Sequence, residues 1–507
     1  MITSPNGLNG AVVDPEGRSG LSDFATASTV GVVGPTDLSS LRKSAIRLCS
    51  KAIGTLDVGA DFVGAALAVF MAYSLYCGLH VGKLARYSSS KVAVAAALVG
   101  LFYVLMLKAN GAYTRAMSLL RVRETERVIA ASSELCLLAF AVSFWTDILF
   151  SRYIVLFSAI AIPLIVLTEK QILDRLARSL YIHGYGARRT VIYGAGFSGN
   201  RAFSVLTRSP KLGLDPVAVV DDDVHEIGKQ VRESAYTSSR SMEVLGGPLT
   251  AEKLREWSAE AVIISSPSIS AEKFEEISVE TARAGATLSF VPHDTVTSDR
   301  SLSYWDADGL IFASVDERKT GNIYEYAKQG FDFTVALLLL VILSPALLVI
   351  ACLVSLTSQG PAFFVQDRVG RNGRLFRMYK FRTMRTDAPQ YAHSPISGQD
   401  PRITKVGAFL RRTSFDELPQ LFNVLKGNMS LVGPRPEMPF IVKLYSELQR
   451  QRLWVKPGIT GLWQISADRA HLIHENIQYD LYYIRHRSFF MDLAILLHTF
   501  AFAMRGI

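Results

Sequence analysis

Two adjacent carboxylates, Asp416 and Glu417, follow two arginines in the stretch RRTSFDELPQLFNVLKGNMSLVGPRPE, residues 411–437. Such a pair has two contrasting uses. In a capping box, Ser414-x-x-Glu417 satisfies the first amides of a helix, and the role is structural. In a phosphate site the pair works among cations, and Arg411, Arg412 and Arg435 provide them. Bare carboxylates repel a diphosphate, whereas Mg²⁺ held by Asp416 would neutralise it. Pro419 is tolerated only in a first helical turn, so a helix is expected to begin near Ser414 to Asp416. Leu418, Leu421, Phe422 and Leu425 then share an apolar face, with Asp416, Gln420 and Asn423 on a polar one. That start would place the acids at a helix N-terminus, where free amides favour an anion. In VGPRPE the flanking prolines fix Arg435.

The preceding segment is just as one-sided. Residues 365–412 carry eleven cations, Lys380 and Arg382 among them, against Asp367, Asp387 and Asp400. In YKFRTM they interleave with Phe381 and Met384, as in a strand with one buried face. Two targets suit this charge beside an apolar helix: an anionic lipid surface, or a multiply charged phosphate substrate. Nucleic acid does not.

The elements that must hold these residues include membrane segments. The chain has 507 residues, 49% hydrophobic, net charge +9, and a mean hydropathy of +0.23. Apolar stretches at about 56–79, 92–108, 128–146 and 149–168 each approach the length of a membrane helix. Lysines and arginines crowd before the first and between the second and third, which puts both ends of this unit in the cytoplasm. Asp57, Asp61 and Glu134 lie near span ends and read as interfacial acids. A fifth stretch, residues 331–360, carries Ser344-Pro345 at its middle, where proline should kink a helix. A crossing helix would deliver the cationic segment outside, so a re-entrant helix returning to the same face is expected. Cys49, Cys77, Cys136 and Cys352 show no paired spacing, which argues against disulfides and zinc. No signal peptide is recognisable, and residues 1–50 read as an irregular, disordered tail.

Between these parts, TVIYGAGFSGN runs a short strand into Gly194-x-Gly196-x-x-Gly199, and DPVAVVDDD ends a second strand at Asp221 to Asp223. The pattern is a Rossmann-like α/β unit over about 185–315. The glycines serve equally for a tight turn, so NAD(P) at Gly194, Gly196, Gly199 and Asp221 has only this weak support.

The runs GPAFFVQDRVGRNGRLFRMYKFRTM (360–384), DPRITKVGAFLRRTSFDELPQLFNVLKGNMSLVGPRPE (400–437) and VKPGITGLWQIS (455–466) resemble the bacterial sugar transferases, the polyprenyl-phosphate hexose-1-phosphate transferases. The resemblance covers about 320–507, and the earlier part is similar in layout to the large members. It implies a membrane protein of four transmembrane helices (51–180), a cytoplasmic Rossmann-like domain, and a mixed α/β monotopic catalytic domain (320–507) with a re-entrant helix near 331–357. It further implies that Asp416 attacks a UDP-sugar and expels UMP, after which undecaprenyl phosphate takes the hexose-1-phosphate. Glu417 would assist, with Mg²⁺ as cofactor, and Arg411 would contact the lipid phosphate. Lys380, Arg382 and Arg435 would hold further phosphate oxygens, and Ser344-Pro345 match the family's helix break. The implied setting is a bacterial inner membrane, at the start of exopolysaccharide, capsule or O-antigen assembly. Four spans without a direct catalytic duty are also surface for a homodimer. The chain departs from the family at Ala467-Asp468-Arg469 and at Arg487, and Asp480 reads either as a further functional acid or as a surface helix charge. Two other readings compete: a membrane-anchored NAD(P)-dependent nucleotide-sugar reductase or epimerase, and a non-enzymatic scaffold in which the acid pair is only a cap.

Overall fold

The computed structural model describes residues 35–80, 86–113, 122–145, 151–182, 187–208, 212–232, 240–266, 269–291, 300–307, 310–317, 322–387, 400–466 and 477–503. Two compact units are delimited, Met1–Ala45 and Ile46–Ile507. Of the expected irregular tail, residues 1–34 lie outside the described residues. Residues 35–50 are instead the first turns of helix α1, Pro35–Leu79. Leu38, Leu41, Ala45 and Leu48 recur there at helical spacing.

Helices α2 (Ser89–Ala109), α3 (Val122–Trp145) and α4 (Arg152–Ile182) follow. Among the described residues, four helices are long and apolar enough to cross a membrane: Gly54–Leu79, Ser89–Ala109, Arg152–Leu176 and Ile323–Thr357. The α3 helix, an expected span, is not one of them. Arg123, Glu124, Glu126 and Arg127 lie in its first turns, and its apolar run continues into residues 143–144, whose side chains lie outside the described ones. It still packs in the same core, where Val128, Ala131 and Leu135 meet Ala65, Tyr103 and Val166. Asp61 is likewise no interfacial acid. It is fully buried, 2.9 Å from Lys170 Nζ, and accepts the Tyr113 hydroxyl at 2.8 Å.

The Rossmann-like unit is a six-stranded sheet of order β3-β4-β2-β1-β5-β6. Its strands are β1 (Arg188–Tyr193), β2 (Leu214–Asp221), β3 (Gln230–Arg232), β4 (Ser241–Gly246), β5 (Ala261–Ile264) and β6 (Thr287–Phe290). All pairs are parallel except β3 with β4. Helices α5 (Phe197–Arg208), α6 (Ala251–Glu256) and α7 (Ala271–Arg283) connect them. Val191, Val220, Val262 and Ile264 fill the core under α6 and α7, as expected of strands covered on both faces. Strands β7 (Arg300–Ala307) and β8 (Leu310–Glu317) form a separate antiparallel pair.

Helix α8, Asn322–Thr357, then enters the C-terminal part with Pro345 inside it. Both of its halves pack on the same body. In the first, Lys328 Nζ lies 2.8 Å from Asp492 and Asp332 accepts the Ser430 hydroxyl at 2.7 Å. In the second, Val354 packs with Phe381 and Leu410. Between them Val341, Ile342, Leu348 and Val349 are exposed and apolar. Pro345 has no N–H for the Val341 carbonyl, and the Ser344 hydroxyl donates to that oxygen instead, at 2.8 Å.

The body itself holds the antiparallel strands β9 (Phe363–Val369) and β10 (Leu375–Phe381), helices α9 (Lys405–Thr413) and α10 (Gln420–Leu425), and the parallel strands β11 (Ser430–Val432) and β12 (Gly458–Thr460). Two short helices, α11 (Pro439–Val442) and α12 (Glu447–Arg450), precede β12, and α13 (Gln478–His486) and α14 (Phe489–Ala503) close the fold. Ala336, Leu340, Leu421, Leu431, Trp463, Tyr483 and Ile495 share one core. The start of α3 reaches it through Val122 and through the Ser488 hydroxyl, which donates to Glu126 at 2.6 Å.

Candidate active site

The acid pair sits on a single 3-10 turn, Phe415–Glu417, between α9 and α10. Ser414 enters that turn in the left-handed conformation, φ 57°, and its side chain caps nothing. The capping box is therefore absent. Nor does the pair head a helix: α10 begins only at Gln420 and is six residues long. Pro419 sits before its first turn, and the turn, with only a short helix behind it, replaces the expected helix N-terminus.

Glu417 is held from two sides. Lys380, on β10, places Nζ 2.6 Å from Glu417 Oε1, and Arg435 Nη2 donates to the same oxygen at 3.4 Å. Burial alone would raise the Glu417 carboxyl, but the two cations outweigh it and hold the group at about 2. Asp416 differs. It is 9% exposed, and among the described residues no side chain hydrogen-bonds its carboxylate. Burial pushes that carboxyl up, the Lys380 charge opposes this, and the charge on Glu417 adds to it. Arg411 stands close enough to Asp416 to feel its charge and donates Nε to the Thr383 hydroxyl at 2.9 Å.

A cleft opens beside the turn, lined by Arg368, Met378, Lys380, Glu417, Gln420, Arg435 and Pro436 together with Gly458 and Ile459. Gln420 is thus placed as the polar face predicts, and buried. Three other expected contacts lie elsewhere. Asn423 is fully buried, with Oδ1 accepting from Tyr379 N at 3.0 Å and Nδ2 donating to Arg377 O at 2.7 Å. Its amide faces the β10 backbone and not the cleft. Arg382 donates Nη2 to the Ser358 carbonyl at 2.7 Å and hydroxyl at 2.6 Å, so it caps the end of α8. Arg412 is exposed on the outside of α9.

Two residues of the cleft region carried no sequence signal of a role. Arg368 was one of many cations in its segment, and Trp463 lies under Arg435 with the guanidinium 5.9 Å from a ring centroid. A second polar cavity, around the start of α8, is lined by Glu325, Lys328, Asp332, Ser430, Lys456 and Arg487 and contains neither acid of the pair. Arg487, a departure from the family pattern, pairs there with Glu325 at 2.6 Å. Asp480 is no surface charge: it is 1% exposed. Residues 467–469 lie outside the described residues.

In the Rossmann-like unit Gly194 makes the turn after β1 with φ 101°. Asp221 Oδ2 accepts from Ala195 N at 2.5 Å, and Oδ1 accepts from Asp223 N at 3.0 Å. The acid expected at a ribose thus serves the glycine loop itself.

A metal ion at the pair is consistent with its donors. Mg²⁺ commonly takes one or two carboxylates together with substrate phosphates, and Asp416 offers a carboxylate no side chain has claimed. No cluster of three acidic, histidine or cysteine ligands exists among the described residues.

The bacterial sugar transferase model matches residues 323–506, and a model described as a CoA-binding domain matches 108–271. The undecaprenyl-phosphate galactose phosphotransferase of Salmonella typhimurium is 30% identical over 407 residues, 75% of this chain and 79% of that one. The undecaprenyl-phosphate glucose phosphotransferase of Komagataeibacter xylinus is 40% identical over 40% of this chain and 37% of its own length. A galactosyl transferase of Streptococcus agalactiae is 49% identical over 29% of this chain and 35% of its own length.

Proposed function

The chain belongs to the bacterial sugar transferases, and we propose that it transfers a hexose-1-phosphate from a UDP-sugar to undecaprenyl phosphate, initiating polysaccharide assembly. The observation that carries the chemistry is the asymmetry of the acid pair. Glu417 is tied by Lys380 and Arg435, which leaves Asp416 as the carboxylate able to attack.

In the first step an Asp416 oxygen bonds to the sugar-bearing phosphorus while the bond to the UMP oxygen breaks, and UMP leaves with that electron pair. Carboxylates are established phosphoryl acceptors. In the second, an oxygen of undecaprenyl phosphate attacks the same phosphorus and frees Asp416. Lys380, Arg411 and Arg435 oppose the upward push of burial on the Asp416 carboxyl and offset charge on the phosphates. Mg²⁺ held by Asp416 would supply further neutralisation of the diphosphate.

The site lies at a cytoplasmic membrane surface, with α8 as a re-entrant helix. What supports this is that both halves of α8 pack on the body that holds the acids, with an apolar, exposed stretch between them. A polyprenyl phosphate presents its head at that level.

Purified protein in nanodiscs, given undecaprenyl phosphate, Mg²⁺ and a panel of UDP-sugars, should release UMP with at least one sugar. The Asp416→Asn variant should lose at least roughly 10⁴-fold of that rate. Equal release by both proteins would sink the assignment of Asp416.

A further inference from the structure

The loop that presents Arg435 cannot be held by the usual donors, since Pro434 and Pro436 lack an N–H. Its carbonyls anchor it instead. Pro434 O accepts from Gly458 N at 2.9 Å, and Arg435 O from Arg452 Nη2 at 3.0 Å. Pro436 O accepts from Arg368 Nη1 at 3.2 Å, and Glu437 O from Val369 N at 3.0 Å. Four consecutive carbonyls therefore each have a donor from outside the loop.

Of these donors Arg452 is the expensive one. It is 4% exposed, lies over the Tyr445 ring and donates to the Tyr445 hydroxyl. A guanidinium this deep requires a counter-charge. Asp480, on α13, brings Oδ2 to 2.7 Å from Arg452 Nε. Neither residue lines the cleft. A buried path nonetheless runs from Asp480 through Arg452 to the backbone of Arg435.

We propose that Asp480 and Arg452 are positioning residues for Arg435. The ion pair fixes the plane of the Arg452 guanidinium, whose Nη2 fixes the Arg435 carbonyl. That carbonyl sets where the Arg435 side chain meets Glu417 and Trp463. The kinetic consequence rests on the transferase reading above, and a displacement of about 1 Å at such a group can cost on the order of 10²-fold.

A double-mutant cycle separates positioning from plain folding support. Asp480→Asn removes the counter-charge. Arg452→Lys keeps a cation opposite Asp480 but loses the fork's second donor. Each should lower kcat/KM for UMP release by roughly 10- to 100-fold in an otherwise native chain. In an Arg435→Ala background neither should lower it further, because the side chain being positioned is gone. Losses that multiply in full there would overturn the proposal. A second readout needs no activity. The Gly458 and Val369 amides, bonded to the loop's other carbonyls, should exchange hydrogen faster in either variant, while the amides of α8 and α14 keep their protection. Unchanged exchange at those two amides would also overturn it. A wild-type chain that released no UMP from any UDP-sugar would defeat the transferase reading, and the exchange result would still decide the positioning.

Discussion

Lys380 Nζ lies 2.6 Å from Glu417 Oε1, which ties the edge of β10 to the turn that carries both acids. The same ammonium is the largest influence opposing the upward push of burial on Asp416. One lysine therefore serves two carboxylates in different ways: it locks Glu417 and favours the ionised form of Asp416 against the effect of burial.

This fixes the sign of a pH effect. Asp416 must be deprotonated to attack, and its carboxyl sits above the ordinary aspartate value, so kcat/KM falls as pH drops through that raised value. Glu417, held at about 2, does not set this limb. In Lys380→Met the opposing charge is lost, so the acid limb should move to higher pH and the plateau rate should fall. A pH profile of UMP release checks it, and a limb that stayed in place would show that Lys380 does not govern the ionisation.

How much of this was legible in the sequence varies residue by residue. Asp416, Glu417, Lys380 and Arg435 could be read because charges needed for one reaction stand in two short runs. Asn423 was misplaced because the i, i+4, i+7 pattern assumes one continuous helix, and the chain breaks it with a 3-10 turn before Gln420. Arg382 shares its alternation with Lys380, but β10 stops at Phe381, so the two side chains part. The Rossmann-like character of the middle unit followed from the apolar strands β1 and β2 and a glycine turn, whereas the sheet's six strands and their order were not read from the sequence. The capping of α8 by Arg382 depends on tertiary approach, which no local pattern encodes. Ending the fourth apolar run at residue 168 also hid Lys170, the partner of Asp61.

The topology of α8 can be tested without activity. Single cysteines at Gly330 and at Gln359, in a chain freed of Cys49, Cys77, Cys136 and Cys352, should both react with a membrane-impermeant maleimide from the cytoplasmic side only. Labelling of Gln359 from the outside would make α8 a crossing helix. Pro345→Ala returns an N–H to the Val341 carbonyl and removes the ring clash. It should shift part of the population toward that crossing arrangement.

The membrane unit yields a separate expectation. Lys170 Nζ faces Asp61 at 2.9 Å and Asp57 at 3.2 Å, with Lys170 and Asp61 buried. Removing one partner of such a group leaves a buried charge uncompensated, at a cost of about 3 kcal/mol or more. Lys170→Met should therefore lower the Tm of the detergent-solubilised protein well below that of wild type. Asp61→Asn placed in the Lys170→Met chain removes the stranded charge and should recover most of the loss, leaving the Tyr113 hydroxyl a neutral acceptor. A second substitution that lowered Tm further would mean that Asp61 supports the unit through Tyr113 and not through Lys170.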